Sequence, residues 1–142
     1  MTISIQHVIF CDKAVRDTST GKLTCQGIFE HVHTERFPVT LDFSVVAWLS
    51  GIDHENNDFT ITIRDKAAKV CGTRNNYQVT FHHYTGLEEM VFHFNKFTFT
   101  SLLDFYAIEI LHQDQNLAKK ILRPFNSSMI KVGAPDRGFI DL

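Results

Sequence analysis

The sequence has no excess of basic residues and no long apolar run. Its 142 residues include 14 lysines and arginines against 16 acidic residues, which gives a formal net charge of −2. Because nucleic-acid-binding domains concentrate positive charge, this balance argues against a nucleic-acid partner. No stretch approaches the roughly 18 uninterrupted apolar residues of a membrane helix, so no membrane partner is expected either.

Cysteine is scarce and has no paired spacing. The three cysteines, Cys11, Cys25 and Cys71, are odd in number, and no CxxC motif occurs. Such a set is typical of reduced, mostly buried thiols in a cytoplasmic protein. The opening residues, MTISIQHVIF, lack the basic region of a signal peptide, which also favours the cytoplasm.

What the sequence does have is alternation of apolar and polar residues with a period of two. Such alternation indicates strands with one buried face. The regular segments cover residues 41–49, 58–65, 75–84 and 90–95, and less regular ones cover 3–11, 22–34, 103–112 and 116–123. The segment 3–11 has apolar residues on both faces, so we expect it to be covered on both sides. The 13 phenylalanines, spread over the whole length, predict a wide aromatic core.

Turn-forming residues separate these segments, and no stretch has helical spacing. Glycine, asparagine and aspartate cluster at RDTSTGK, GIDHENND, CGTRNN and HQDQN. The sequence therefore predicts an all-β protein, a single antiparallel β-sandwich of about eight strands over residues 1–125. Residues 126–142 have no clear periodicity and predict an irregular C-terminal tail or arm.

One segment, GIFEHVHTE at 27–35, has the spacing of a metal site. Residues two apart on a strand share a face, so His31 and His33 would point the same way, and Glu35 would continue that face. A third ligand would come from His82, His83 or His93 on neighbouring strands. The alternative is a strand with two structural or solvated histidines. The glutamate spacing and the second motif of cupin metal strands are missing.

Two further sets of residues suggest contact surfaces. Trp48 falls on the nominally exposed side of its strand, and Phe139 and Ile140 are apolar residues of the tail, so all three are candidates for a protein interface. The segment RDKAAKVCGTR offers Lys69 and Arg74 as an anion site, although a charged hairpin kept soluble by its lysines is the favoured interpretation.

The stretch from Val8 to Pro38 resembles DUF6941, a family of small bacterial and phage proteins of unknown function. The family pattern has an Asp and a small residue after the first strand, then Gly-Lys-Leu, Gly-Ile-Phe and Phe-Pro. Here these positions are Asp12, Ala14, Gly21, Lys22, Leu23, Gly27, Ile28, Phe29, Phe37 and Pro38. The resemblance implies a small β-sandwich with no established activity. His31 and His33 are not part of the pattern.

Together these features favour a non-catalytic protein-binding or assembly module, with a protein partner or self-association and no cofactor. No nucleophile elbow, P-loop or dinucleotide-binding motif is present, which argues against an enzyme. The first alternative is a metal-dependent, cupin-like enzyme that holds a divalent metal on the His31/His33 strand. The second is a sandwich that binds an anion or small ligand.

Overall fold

A computed structural model describes residues 3–51, 56–80, 87–100 and 105–126, with the side chains of 56, 57, 74–80, 125 and 126 left aside. The described residues form nine strands and no helix. The strands are β1 (Ser4–Arg16), β2 (Leu23–Phe29), β3 (His31–Thr34), β4 (Val39–Ser50), β5 (Asn56–Arg64), β6 (Val70–Thr80), β7 (Leu87–Phe99), β8 (Tyr106–His112) and β9 (Gln115–Asn126). The predicted tail, with Phe139 and Ile140, lies outside the described residues.

The strands form two sheets, and the predicted all-β sandwich is confirmed. The four-stranded sheet has the order β2-β1-β4-β7 and is antiparallel throughout. The five-stranded sheet has the order β3-β9-β8-β5-β6, in which β3 and β9 run parallel. The sequence predicted one strand over 22–34, but alternation fails between Phe29 and Val32. The strand is interrupted at Glu30, where the chain passes from the four-stranded sheet to the five-stranded sheet.

The core lies between the two sheets and is largely aromatic, as the phenylalanine content predicted. Phe43 stacks on Phe94 with ring centroids 5.4 Å apart, and Phe97, Phe99 and Tyr106 make edge-to-face pairs at 4.9 to 5.5 Å. Such offset and edge-to-face pairs contribute roughly 0.5–1.5 kcal/mol each beyond the area they bury. The inner faces of both sheets thus hold one continuous cluster.

The four-stranded sheet also buries residues on its outer face. Ile9, Cys11 and Val46 form a second apolar cluster, and Cys11 and Val46 have no exposed area. The predicted double covering of the first strand is therefore confirmed. The partly buried residues packed on this cluster all belong to strands of the same sheet: Ala14, Leu23, Cys25, Trp48 and Val91.

One turn and one bulge differ from the sequence-based prediction, and a second turn agrees with it. The turn predicted at CGTRNN is part of β6, and the chain turns earlier, over 65–69, where Asp65 Oδ1 accepts the N–H groups of Ala67 and Lys69. The irregularity of β8 falls between Ile110 and Leu111 rather than near Ala107. The turn at HQDQN is confirmed, with positive φ at its two central residues, Gln113 and Asp114.

Candidate functional site

The histidine segment forms a short strand at one edge of the five-stranded sheet. Val32 points into the core with 3% exposure, while His31 and His33 are exposed on the opposite face. Their ring centroids lie 6.2 Å apart. Partial burial, with a smaller effect from His31, lowers the pKa of His33. A neutral imidazole is the form that binds metal, so this shift is compatible with ligation.

The third ligand proposed from the sequence does not join this pair among the described residues. β3 ends at Thr34, so the exposed Glu35 does not continue its face. His93 lies on the four-stranded sheet, where its Nδ1 is 2.8 Å from Ser44 Oγ. His82 and His83 lie outside the described ranges, within which no three His, Cys, Asp or Glu side chains come together as metal ligands. The metal site remains a prediction.

The residues proposed for an anion site are spread along the chain. Lys69 is exposed in the turn before β6, and Arg74 is five residues further on, within β6. Because a strand rises about 3.3 Å per residue, the two backbones are roughly 16 Å apart. The Arg74 side chain is outside the described part. Arg64, in the same segment, is paired with Glu109, its Nε 2.9 Å from Oε1.

The outer face of the four-stranded sheet brings apolar residues from all four strands together. Paired residues of antiparallel strands point to the same face, so the register defines the rows of this surface. We call it the Trp48 face. Its rows are His7–Trp48–Glu89, Ile9–Val46–Val91, Ile28–Cys11–Ser44–His93 and Ser4–Ser50–Leu87. The apolar row lies next to the Trp48 row, and Ile28 and Leu87 are 56% and 55% exposed at its margins.

Trp48 is half-buried and held in place by a carboxylate. Its indole Nε1 donates to Glu89 Oε2 at 2.9 Å, and Arg16 Nη1 donates to the other oxygen, Oε1, at 2.9 Å. The same Arg16 nitrogen donates to the backbone oxygen of Gly21 at 2.8 Å. The His7 ring lies 5.8 Å from Trp48. Trp48 is thus less exposed than the sequence suggested, and the hydrogen bond to Glu89 holds its indole in one orientation.

The outer face of the five-stranded sheet has the opposite character. Its central row is Thr62–Glu109–Lys119. Glu109 accepts from Arg64 and from Asn116, at 2.9 and 2.8 Å. The two outer faces therefore differ: one carries a hydrogen-bonded charged network around Glu109, and the other carries a largely buried apolar row and a tryptophan bound by Glu89.

Residue parity located part of the Trp48 face from the sequence. Trp48 has the same parity as Asp42 and Ser44, the polar side of its strand, and the register places it on the outer face accordingly. Glu89, its hydrogen-bond partner, was not predicted, because pairing between strands 41 residues apart leaves no local signal in the sequence. Over the part of the chain that the structure describes, no helix is long and apolar enough to cross a membrane.

Comparison with known proteins gives one family and several distant structural neighbours. The sequence model of a family described as "Family of unknown function (DUF6941)" matches residues 6–123. No curated protein matches the chain. An immunoglobulin-like protein from Pseudomonas aeruginosa is similar over 87% of this chain and 97% of its own, with 12% identity and a TM-score of 0.47. A hemolymph-type prophenoloxidase from a crustacean is similar over 95% of this chain and 36% of its own, with 8% identity and a TM-score of 0.44.

Proposed function

The chain belongs to the DUF6941 family, which has no described function, and we propose that it is a non-catalytic assembly module that pairs with a second copy through its Trp48 face. The observation that carries this proposal is the pair of exposed apolar side chains, Ile28 and Leu87, at the margins of a face that also holds a tryptophan bound by Glu89. Tryptophan and arginine are enriched among the residues that contribute most to binding energy at protein interfaces. Arg16 donates a hydrogen bond to the same Glu89 carboxylate that binds Trp48. Fixing these side chains beforehand lowers the entropy cost of binding.

Charge and symmetry favour a second copy as the partner. The formal net charge of −2 gives little repulsion between two copies. A two-fold contact needs a patch that complements itself. Arg16 and Glu89 form one ion pair beside the apolar row, and a two-fold rotation can bring each of its charges towards the opposite charge of the second copy's pair.

The size of the face sets the expected strength of the contact. Four strands about 4.8 Å apart, over six residues of about 3.4 Å, outline roughly 400 Å² on each copy. The area left to bury is smaller, because Ile9 and Val46 are already buried. Stable complexes bury about 800 Å² on each partner. We therefore expect a weak dimer that forms in a concentration-dependent way.

The three cysteines are free thiols, which supports the cytoplasm as the working compartment.

Sedimentation velocity over a wide range of protein concentration tests the proposal. The wild type should shift from monomer to dimer, whereas the Ile28→Lys/Leu87→Lys variant should remain a monomer. Both positions are more than half exposed, so the substitutions should leave the fold intact. Val70→Lys is the matched control, because Val70 is 41% exposed on β6 of the other sheet. It should dimerise like the wild type.

Fluorescence supplies a second readout, because Trp48 is the single tryptophan of the chain. Its emission should shift to shorter wavelength as the dimer forms, and the lysine variant should lose this shift. A wild type that stays monomeric at every concentration would overturn the proposal. So would a dimer that the Ile28→Lys/Leu87→Lys variant forms as readily as the wild type.

A further inference from the structure

A cavity opens between the edge strands of the two sheets, away from the Trp48 face. It has a volume of about 390 Å³ and lies between β6 and β7. Its lining is Cys71, Gly72 and Thr73 from β6, and Phe94, Asn95, Lys96, Phe97 and Thr98 from β7. Small-molecule sites range from about 300 to 1,000 Å³, so this cavity is large enough for a small ligand.

The depth of the cavity depends on a missing side chain. Gly72 pairs with Ile63, whose side chain is fully buried in the core. A methyl group placed on Gly72 would lie 3.4 Å from both Ile63 Cδ1 and Phe97 Cε2. Because Gly72 leaves this space open, the edge of the aromatic core forms an apolar wall of the cavity.

The polar rim of the cavity is produced by a bulge. Leu41 pairs with Phe97 and Phe43 pairs with Phe94, so Asn95 and Lys96 together stand opposite the single residue Asp42. Lys96 has a φ of 55°, in the left-handed region that non-glycine residues rarely adopt. Its N–H donates to Asp42 Oδ1 at 2.7 Å, which holds the bulge. Bulges of this kind redirect side chains and are frequent beside functional sites.

The lining combines one cation with neutral donors and an aromatic wall. Lys96 is the cationic member of the eight described lining residues, and Asn95 and Thr73 add neutral polar groups, whereas Thr98 Oγ1 is hydrogen-bonded to Thr40 Oγ1 at 2.8 Å. One ammonium group matches a monoanion, whereas phosphate sites generally gather several arginines. A cavity of about 150 Å³ already holds benzene, so 390 Å³ leaves room for a ring and an acid group.

We propose that this cavity binds a small aromatic carboxylate, with the ring against Phe97 and the carboxylate at Lys96 and Asn95. The proposal is independent of the Trp48 face and of dimer formation. It also differs from the Lys69/Arg74 anion site expected from the sequence, since it is built around the β7 bulge.

Protection of Cys71 from alkylation gives a site-specific test. Cys71 is exposed and lines the cavity, whereas Cys25 is half-buried on the other sheet and serves as an internal reference. Labelling by N-ethylmaleimide is followed by peptide mass spectrometry with and without 3-phenylpropionate, and with 3-phenylpropanol as the neutral analogue. We expect 3-phenylpropionate to slow labelling of Cys71 about tenfold at saturation, with no effect on Cys25. The alcohol should protect much less.

Lys96→Asn removes the charge while keeping a residue that tolerates positive φ, so the bulge should survive. We expect it to weaken 3-phenylpropionate binding about tenfold, the size of one charge-assisted hydrogen bond. Lys119→Asn, on the outer face of the five-stranded sheet, is the control and should bind like the wild type. Unfolding temperatures of both variants verify that they are folded.

Saturation-transfer NMR on 3-phenylpropionate detects binding without relying on the thiol. The site would be supported if saturation is transferred to the ring protons of 3-phenylpropionate and if the Lys96→Asn substitution reduces that transfer. Absence of transfer in the wild type would overturn it. Equal protection of Cys71 by the acid and the alcohol, or protection by inorganic phosphate alone, would overturn the assignment to a carboxylate.

Discussion

Two glycines of the family pattern offer a matched pair of substitutions. Gly21 and Gly27 both have positive φ, 73° and 66°, so a substituted residue would have to adopt the left-handed conformation at either position. They differ in their surroundings. A methyl group on Gly21 would meet no atom within 4 Å, whereas one on Gly27 would overlap Asp12 Oδ2 and lie 2.7 Å from Asp12 Cγ. Gly21→Ala therefore measures the backbone cost, and Gly27→Ala measures that cost plus a clash.

The expected magnitudes follow from these contacts. Placing alanine in the left-handed region costs roughly 1–2 kcal/mol, so we expect Gly21→Ala to reduce the free energy of unfolding by that amount. Gly27→Ala should cost about 1 kcal/mol more, because the exposed Asp12 must swing aside. In a chain of this size each kcal/mol lowers the Tm by about 3–5 °C. Gly27→Ala should therefore melt clearly below Gly21→Ala.

Urea and thermal unfolding of five proteins check this reasoning: the wild type, Gly21→Ala, Gly27→Ala, Asp12→Ala and Gly27→Ala/Asp12→Ala. Removing the Asp12 carboxyl group should abolish the extra loss of stability. The Gly27→Ala/Asp12→Ala variant should then lose about as much stability relative to Asp12→Ala as Gly21→Ala loses relative to the wild type. Asp12→Ala alone supplies the fourth corner of the cycle. Equal stability of the two single glycine variants, or no recovery in the double variant, would refute the account of Gly27.

Three further predictions rest on single groups. The pKa of Asp17 is lowered, because its carboxylate accepts from Ser19 Oγ and from the N–H groups of Ser19 and Thr20; its contribution to stability should be present above pH of about 4 and be lost as pH falls further, and thermal melts of Asp17→Asn should lack this acid-dependent part. Burial, and next the Cys25 thiol, raise the pKa of Cys11 to about 11. Stability should thus fall as pH rises above about 8.5, where the unfolded chain ionises first, and Cys11→Ala should flatten that slope in melts at alkaline pH. Phe99→Ala should cost about 3–5 kcal/mol in urea unfolding, because the ring is fully buried against Phe43, Phe97 and Tyr106.

Alternation with period two was enough to predict much of the fold. It located strands such as β4 and β5, because each presents one face to the core and neighbouring turns carry Gly, Asn or Asp. It also indicated the double covering of β1, since Ile9 and Cys11 interrupt the polar side of that strand. These features depend on local sequence, which a single chain displays directly.

The remaining features depend on pairing between distant segments. The parallel pairing of β3 with β9 cannot be inferred from alternation, which is the same for either direction of pairing. The link from Trp48 through Glu89 to Arg16 joins three strands, and the β7 bulge depends on which residue faces Asp42. The histidine pair shows the opposite situation: its spacing was evident in the sequence, but the position of Glu35 and His93 depended on the fold.

The passage of the chain at Glu30 from one sheet to the other has a consequence for the order of assembly. β3 is laid down early, yet its hydrogen-bonding partner β9 lies about ninety residues further along the chain. The neighbours β1, β2 and β4 can pair as soon as they are synthesised, since their contacts are local. The five-stranded sheet gains its β3 edge only when the last strand arrives. In a nascent chain, the four-stranded sheet should therefore be complete while the five-stranded sheet still lacks β9 and, with it, the pairing of β3.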